Sequence, residues 1–274
     1  MIALTLLYAP ADRPDLVRAA MVSDADVVIL DLENSVVPGA KDSARAAIPG
    51  LLAEFPGRHV QVRVNAFDTR WGDADLDMIA RLDRSVEIRV PNVDAASDVH
   101  DVVQQVPHHK VHALLQSPLS IERAYEIACS GVAGLVLAET HLTTALSVAS
   151  REQLAWQRAR VVNAAAAAGL TPPTMSLYPD VADDEGLAAS CRAGRALGFL
   201  GRTAIHQRQL PIIRDAFMPT TDEVDAARAL AASFVGAKDV GGGLFAFLDG
   251  TYAEAAKIRR AQRVLALTEG RPNA

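Results

Sequence analysis

One pattern constrains the fold more than any other: short apolar runs alternate with longer amphipathic runs from Ile2 to Phe217. Val27-Val28-Ile29-Leu30 sets the type, being unbroken, apolar and mostly β-branched. Such a run is expected of a parallel strand buried on both faces. Parallel strands need a crossover, and the amphipathic run after each apolar one supplies a helix for it. Read this way, strands fall at residues 2–8, 27–30, 60–64, 86–90, 111–115, 135–137, 174–177 and 198–204. Helices follow at 14–21, 41–52, 75–82, 95–106, 119–129, 151–168, 185–197 and 209–217. Pro14 suits a first helical turn and Gly169 a helix end. Eight such units predict a (β/α)8 TIM barrel over residues 1–218. A doubly wound sheet is the alternative, but no glycine fingerprint follows the first strand, which runs into Ala9-Pro10-Ala11-Asp12-Arg13. Residues 219–274 read as a C-terminal helical extension. It has helices at 221–235 and 252–267, a break at Gly241-Gly242-Gly243, a short apolar segment at 244–248 and a turn at Asp249-Gly250. Such an extension is a packing helix on a linker, a lid, or an arm reaching a neighbouring subunit.

Composition narrows the function. The chain has 274 residues, half of them hydrophobic, and a net charge of −6 without a basic run. That excludes a nucleic-acid partner, which would need a clustered basic face. No apolar stretch is long enough to span a bilayer, and the start meets Pro10 and charged Asp12-Arg13 too early for a signal peptide. A cytoplasmic location is expected. Cys129 and Cys191 lack metal-ligand spacing and read as small buried hydrophobes.

Barrel chemistry sits on the loops after the strands, so the residues ending each apolar run are the candidates. They are Asp31 and Glu33, Arg63 and Asn65, Asn92, Gln116 and Ser117, Glu139 to His141, Tyr178 and Asp180, and Thr203 and His206. Arg63 stands apart because it interrupts a strand pattern, between Val62 and Val64. An arginine there needs an anion: either a buried salt bridge to Asp31 or Glu33, or a substrate carbonyl or carboxylate held at two points. His206 reads as structural more readily than as a base or ligand, and Asp183-Asp184-Glu185 as a helix cap.

Several segments in this order resemble the citrate lyase β-subunit-like branch of the HpcH/HpaI aldolase superfamily. They are Tyr8 to Pro14, Ile29 to Val36, Val62-Arg63-Val64-Asn65, Asp183 to Leu187, Ala196 to Phe199, Ala204-Ile205-His206 and Leu248-Asp249-Gly250. The resemblance implies a (β/α)8 barrel assembling as a trimer or a multiple of one. It implies C–C lyase chemistry on an acyl-CoA or carrier-bound thioester, with Mg²⁺ as cofactor. Residue by residue, Arg63 matches the family arginine that helps stabilise an enolate. Asp31 and Glu33 match acids near the metal. Arg13 and Lys41 fall where basic residues can meet coenzyme phosphates. Glu254 aligns with the C-terminal acid that moves the proton from a neighbouring subunit.

The departures fall on the metal. Gln116 stands at the family's metal Glu, and His141 at its metal Asp. Glu139 is the one carboxylate close enough in sequence to substitute. Losing two carboxylates disfavours Mg²⁺, which prefers hard anionic oxygens, and leaves a set better suited to a transition metal or none. Two readings follow: a lyase with a substituted metal site, and a lapsed or repurposed family member that binds or assembles.

Overall fold

The computed structural model describes residues 2–234, 238–241, 244–247 and 252–268. The chain divides into a large unit, residues 3–217, and a small one from residue 218 onward that also takes in Ile2.

The large unit alternates strand and helix. Its elements are β1 (Thr5–Pro10), α1 (Pro14–Met21), β2 (Val27–Asp31), α2 (Lys41–Ala53), β3 (Val60–Arg63), α3 (Gly72–Ile79), β4 (Glu87–Val90), α4 (Ala96–Gln105) and β5 (Val111–Leu115). There follow α5 (Pro118–Glu122), α6 (Ala124–Ala128), β6 (Gly134–Leu137), α7 (Glu139–Ala145), α8 (Ala155–Ala167), α9 (Asp184–Leu197), β7 (Arg202–Ala204) and α10 (Gln209–Phe217). The strands form one parallel sheet in the order β6-β5-β4-β3-β2-β1-β7. Every residue of β2 is buried, as its apolar run predicts for a strand covered on both faces. The outer strands β6 and β7 both reach one segment, through single bridges Val136–Thr174 and Met175–Arg202. A sheet whose two edges meet the same short segment is curled on itself.

Five expectations change here. The strand expected at 174–177 is reduced to those two bridges, and the one expected at 198–204 begins at Arg202. The helix expected at 119–129 breaks at Arg123 into α5 and α6. Glu139 to His141 are not loop but the first turn of α7. Cys191 is buried as expected, whereas Cys129 is exposed.

The parallel register carries the site. It aligns Asp31 with Arg63, Arg63 with Arg89, and Arg89 with His112 across β2 to β5. One row nearer the strand starts, Gln61 pairs with Glu87. Side chains at paired positions share a face, so the sheet's inner surface is polar along both rows.

The turn into β7 depends on Gly201. Its φ is +79°, and an added Cβ would strike the backbone of Leu4. We expect Gly201→Ala to lower stability by about 2 kcal/mol or more, read from the midpoint of chemical denaturation. A parent-like midpoint would show that the turn relaxes freely.

The small unit holds α11 (Thr221–Phe234), β8 (Lys238–Gly241), β9 (Leu244–Ala246), β10 (Tyr252–Glu254) and α12 (Ala255–Thr268). The three strands form an antiparallel sheet ordered β10-β9-β8, which helical patterning alone does not predict. Helices α11 and α12 pack on each other, burying Val224, Ala227, Ile258 and Ala261. Of the expected Gly241-Gly242-Gly243 break, Gly241 ends β8 and the other two lie outside the described residues, as does the expected Asp249-Gly250 turn; the helix expected from residue 252 begins at Ala255, after β10. Among the described residues, no helix is long and apolar enough to cross a membrane.

Candidate active site

Arg63 ends β3 and points inward, 9% exposed. Its Nε and one terminal nitrogen donate to the two carboxylate oxygens of Asp31 at 2.7 and 2.6 Å. Its other terminal nitrogen lies 3.0 Å from Glu33 Oε2, an ion pair set off the hydrogen-bonding angle. The guanidinium also stacks over the Tyr8 ring at 4.8 Å. Asp31 is fixed further by Ser35, whose amide and hydroxyl donate to it, and by the amide of Glu33. Burial alone would raise the Asp31 pKa, but Arg63, Ser35 and the Glu33 amide outweigh it and hold the carboxyl below its usual range. Glu33 lacks those donors; burial pushes its pKa up, with Arg63 offsetting only part. Two neighbouring acids are thus separated in strength by their surroundings.

Lys41 is buried, and its ammonium donates to the Leu32 and Glu33 carbonyls and to Asn65 Oδ1. Those three bonds use all its protons. It therefore orders the β2–α2 loop and has none left for a coenzyme phosphate. Asn65 donates its amide and side-chain NH₂ to Asp75, which also receives Arg45. Arg13 is exposed and paired two-fold with Asp15. His206 is exposed and accepts from the Arg208 amide, a local turn contact. Asp183 caps α9 by accepting from Gly186. Glu254 ends β10 in the small unit and is exposed.

Gln116 follows β5 and His141 lies in α7, and the two side chains meet at 3.4 Å. Gln116 Oε1 accepts from the backbone amide of Asn92 at 2.7 Å. Asn92 has a φ of +52°, a left-handed conformation that asparagine tolerates better than most residues. Burial and the nearby Arg63 charge lower the His141 pKa, favouring the neutral imidazole. Glu139 turns to Arg158 of α8 at 2.6 Å rather than to His141. Among the described residues, no cluster of acids, histidines and cysteines suits a metal.

Sequence reasoning passed over the floor of the site. Arg89 of β4 is 1% exposed. It donates to Gln61 Oε1 at 3.2 and 2.9 Å and to the Tyr8 hydroxyl at 3.3 Å. Gln61 donates in turn to Glu87, which also contacts His112 and His59. Burial would raise the Glu87 pKa, but these histidine contacts hold it well below the usual carboxylate range. Above this floor lies a cavity of about 210 Å³, lined by residues that include Tyr8, Arg63, Arg89, His141, Ser176 and Thr203. Its lining contains no carboxylate.

A family model described as HpcH/HpaI aldolase/citrate lyase matches residues 4–207. The chain belongs to the HpcH/HpaI aldolase/citrate lyase family. Within it, the chain is 34% identical over 271 residues to a (3S)-malyl-CoA thioesterase of Cereibacter sphaeroides, covering 97% of this chain and 94% of the relative. It is 30% identical over 283 residues to the citrate lyase subunit beta of Escherichia coli K12, covering 97% and 93%. A crystal structure of Mycobacterium tuberculosis CitE with magnesium, acetoacetate and coenzyme A superposes with a TM-score of 0.76 at 27% identity, covering 98% of each chain.

Magnesium is bound in that CitE complex. The residues here do not fit it. Gln116 brings a neutral amide whose oxygen already accepts from Asn92, and His141 brings a nitrogen where a hard cation seeks charged oxygen. Asp31 spends both oxygens on Arg63, and Glu139 is held by Arg158.

Proposed function

We propose that this chain is a carbon–carbon lyase of the citrate lyase β-like type, acting on a short hydroxyacyl thioester of the citryl, citramalyl or malyl kind. One observation carries the reading: Arg63 faces an acid-free cavity while Asp31 and Glu33 hold its guanidinium in place. In the cleavage, the β-hydroxyl loses its proton, the adjacent C–C bond breaks, and a carbonyl product leaves. The electron pair stays on the thioester fragment as an enolate, which then takes up a proton at carbon. Arg63 stabilises the charge that develops on the thioester oxygen, and its carboxylate partners keep it from reorienting. Glu254 takes the hydroxyl proton and returns one to carbon, lent by a neighbouring subunit in a trimer. No step runs through Mg²⁺.

Other parts of the reading follow from this. The segment 174–177 serves as the seventh strand in chain order and completes a (β/α)8 barrel spanning residues 1–218, and residues 219–274 act as a lid or inter-subunit arm. Arg13, exposed at the start of α1, is a basic residue that meets a coenzyme A phosphate in this reading. The cytoplasm supplies such thioesters.

A second reading is a repurposed binding protein, favoured by the loss of charged ligands at Gln116 and His141. The discriminating experiment offers malyl-, citramalyl- and citryl-coenzyme A without added metal, and follows keto-acid release and free thiol separately. Keto acid without thiol is the expected result. Thiol without keto acid would mean thioester hydrolysis instead. Neither product, with thioester binding retained, would support the binding-protein reading.

A further inference from the structure

We infer that Gln116 and His141 act as a pair of neutral hydrogen-bond donors, working without a cation, for the oxygen that becomes the carbonyl of the leaving product. This rests on the proposed lyase reading and deepens it by naming the groups that hold the second reacting oxygen.

Two oxygens gain charge in the cleavage. Arg63 meets the thioester oxygen, over which the electron pair of the broken C–C bond spreads. The other is the hydroxyl oxygen. It gives its proton to Glu254, and its freed electron pair becomes the new C=O bond as the C–C bond breaks. Until that bond is complete the oxygen is an incipient alkoxide, and donors aimed at it lower the barrier.

Gln116 is placed to present donors. It is 5% exposed, and its Oε1 accepts the Asn92 amide proton at 2.7 Å. That bond fixes which end of the side-chain amide is oxygen and turns the NH₂ end toward His141. Nε2 lies 3.4 Å from both ring nitrogens of His141. Equal distances place it on the plane that divides the ring between them, in line with neither lone pair. Both distances also exceed the usual range of about 2.7–3.2 Å for an N–H hydrogen bond. Among the described residues, nothing else accepts from this NH₂ group. A buried amide with two protons so loosely engaged has capacity for a ligand oxygen.

The second observation is independent. His141 is open to solvent and lines two cavities, one of about 210 Å³ with Arg63 and one of about 390 Å³ with Gln116. It therefore stands where the space under the guanidinium meets the space under the amide. Partial burial of its ring and the Arg63 charge favour the neutral imidazole, which carries one N–H. The neighbouring acids do not compete for that proton. Glu139 is held by Arg158, and Asp94, the one acid lining the second cavity, accepts from the Ser117 hydroxyl. An imidazole N–H and an amide N–H bordering one space, beside a cation reserved for the other oxygen, complete the set of donors the cleavage needs.

Calorimetric titration in EDTA tests the pair with pyruvate and propionate, three-carbon carboxylates that differ by one carbonyl oxygen. The parent should bind pyruvate about tenfold more tightly, as two neutral hydrogen bonds allow. His141→Leu and Gln116→Glu should each remove most of that preference. Gln116→Glu keeps the acceptor that the Asn92 amide uses and deletes only donors, whereas His141→Leu adds no charge. In EDTA each variant should also cleave thioester with a kcat lower by about 100-fold and a KM little changed. Equal parent affinity for the two acids overturns the pair, and this measurement needs no variant to fold. A pyruvate preference that vanishes in EDTA and returns with Mg²⁺ overturns it as well, because the cation would then hold the oxygen. Parent-like preference, or parent-like kcat, in both folded variants does the same. The preference is read without turnover, so absence of C–C cleavage with the preference intact counts against the lyase reading alone.

Discussion

Arg63→Met is expected to reduce thioester cleavage by a factor on the order of 10³ or more, the scale at which removal of a preorganised oxyanion-stabilising group acts. It is also expected to destabilise the large unit, because Asp31 and Glu33 would remain buried without their cation. Breaking a buried pair from one side costs roughly 3–5 kcal/mol. The two effects separate by pairing substitutions. Arg63→Met combined with Asp31→Asn relieves part of the uncompensated charge and should recover stability without recovering turnover. Arg63→Lys keeps the charge but loses the two-point grip on Asp31, and should fall between the parent and Arg63→Met in rate. Steady-state kinetics and denaturant melts on all three variants check this. Cleavage at parent rate by a folded Arg63→Met protein would remove the guanidinium from the chemistry.

The second large effect is a gain. Gln116→Glu with His141→Asp should create Mg²⁺ affinity, tightening binding by on the order of 100-fold or more. The parent side chains meet at 3.4 Å, so two carboxylates in their place can address a single cation. Calorimetry with Mg²⁺ and Mn²⁺ reads the outcome directly. Tight Mg²⁺ binding by the parent would mean that a neutral amide and an imidazole suffice to hold the cation there.

Much of this site is legible in one dimension. Arg63 announces itself because a strand flanked by valines has no reason to hold a charge, and register then brings Asp31 beside it. Arg89 carries the same signal between Ile88 and Val90, and the same reasoning applies to it. It is harder to see because no acid stands in a neighbouring strand end to suggest a pairing. The partner of Glu139 lies on a helix nineteen residues away, a contact fixed only when α8 packs against the sheet. That distance is invisible to periodicity. Helix α7 is missed because its seven residues follow directly from β6 and are mostly polar. The sheet β8–β10 is missed because its strands are three or four residues long, too short for alternation to declare itself. Lys41 misleads for a different reason: a lysine's sequence position does not reveal whether its protons are already taken.

The amide of Asn92 constrains how this site can evolve. The bent backbone after β4 leans on an acceptor from residue 116, and glutamine and glutamate both offer one in the same place. Their codons differ by a single base. A lineage can therefore trade a charged cation ligand for a neutral one, or regain it, while the loop keeps its shape. Drift in metal dependence is thereby uncoupled from drift in architecture.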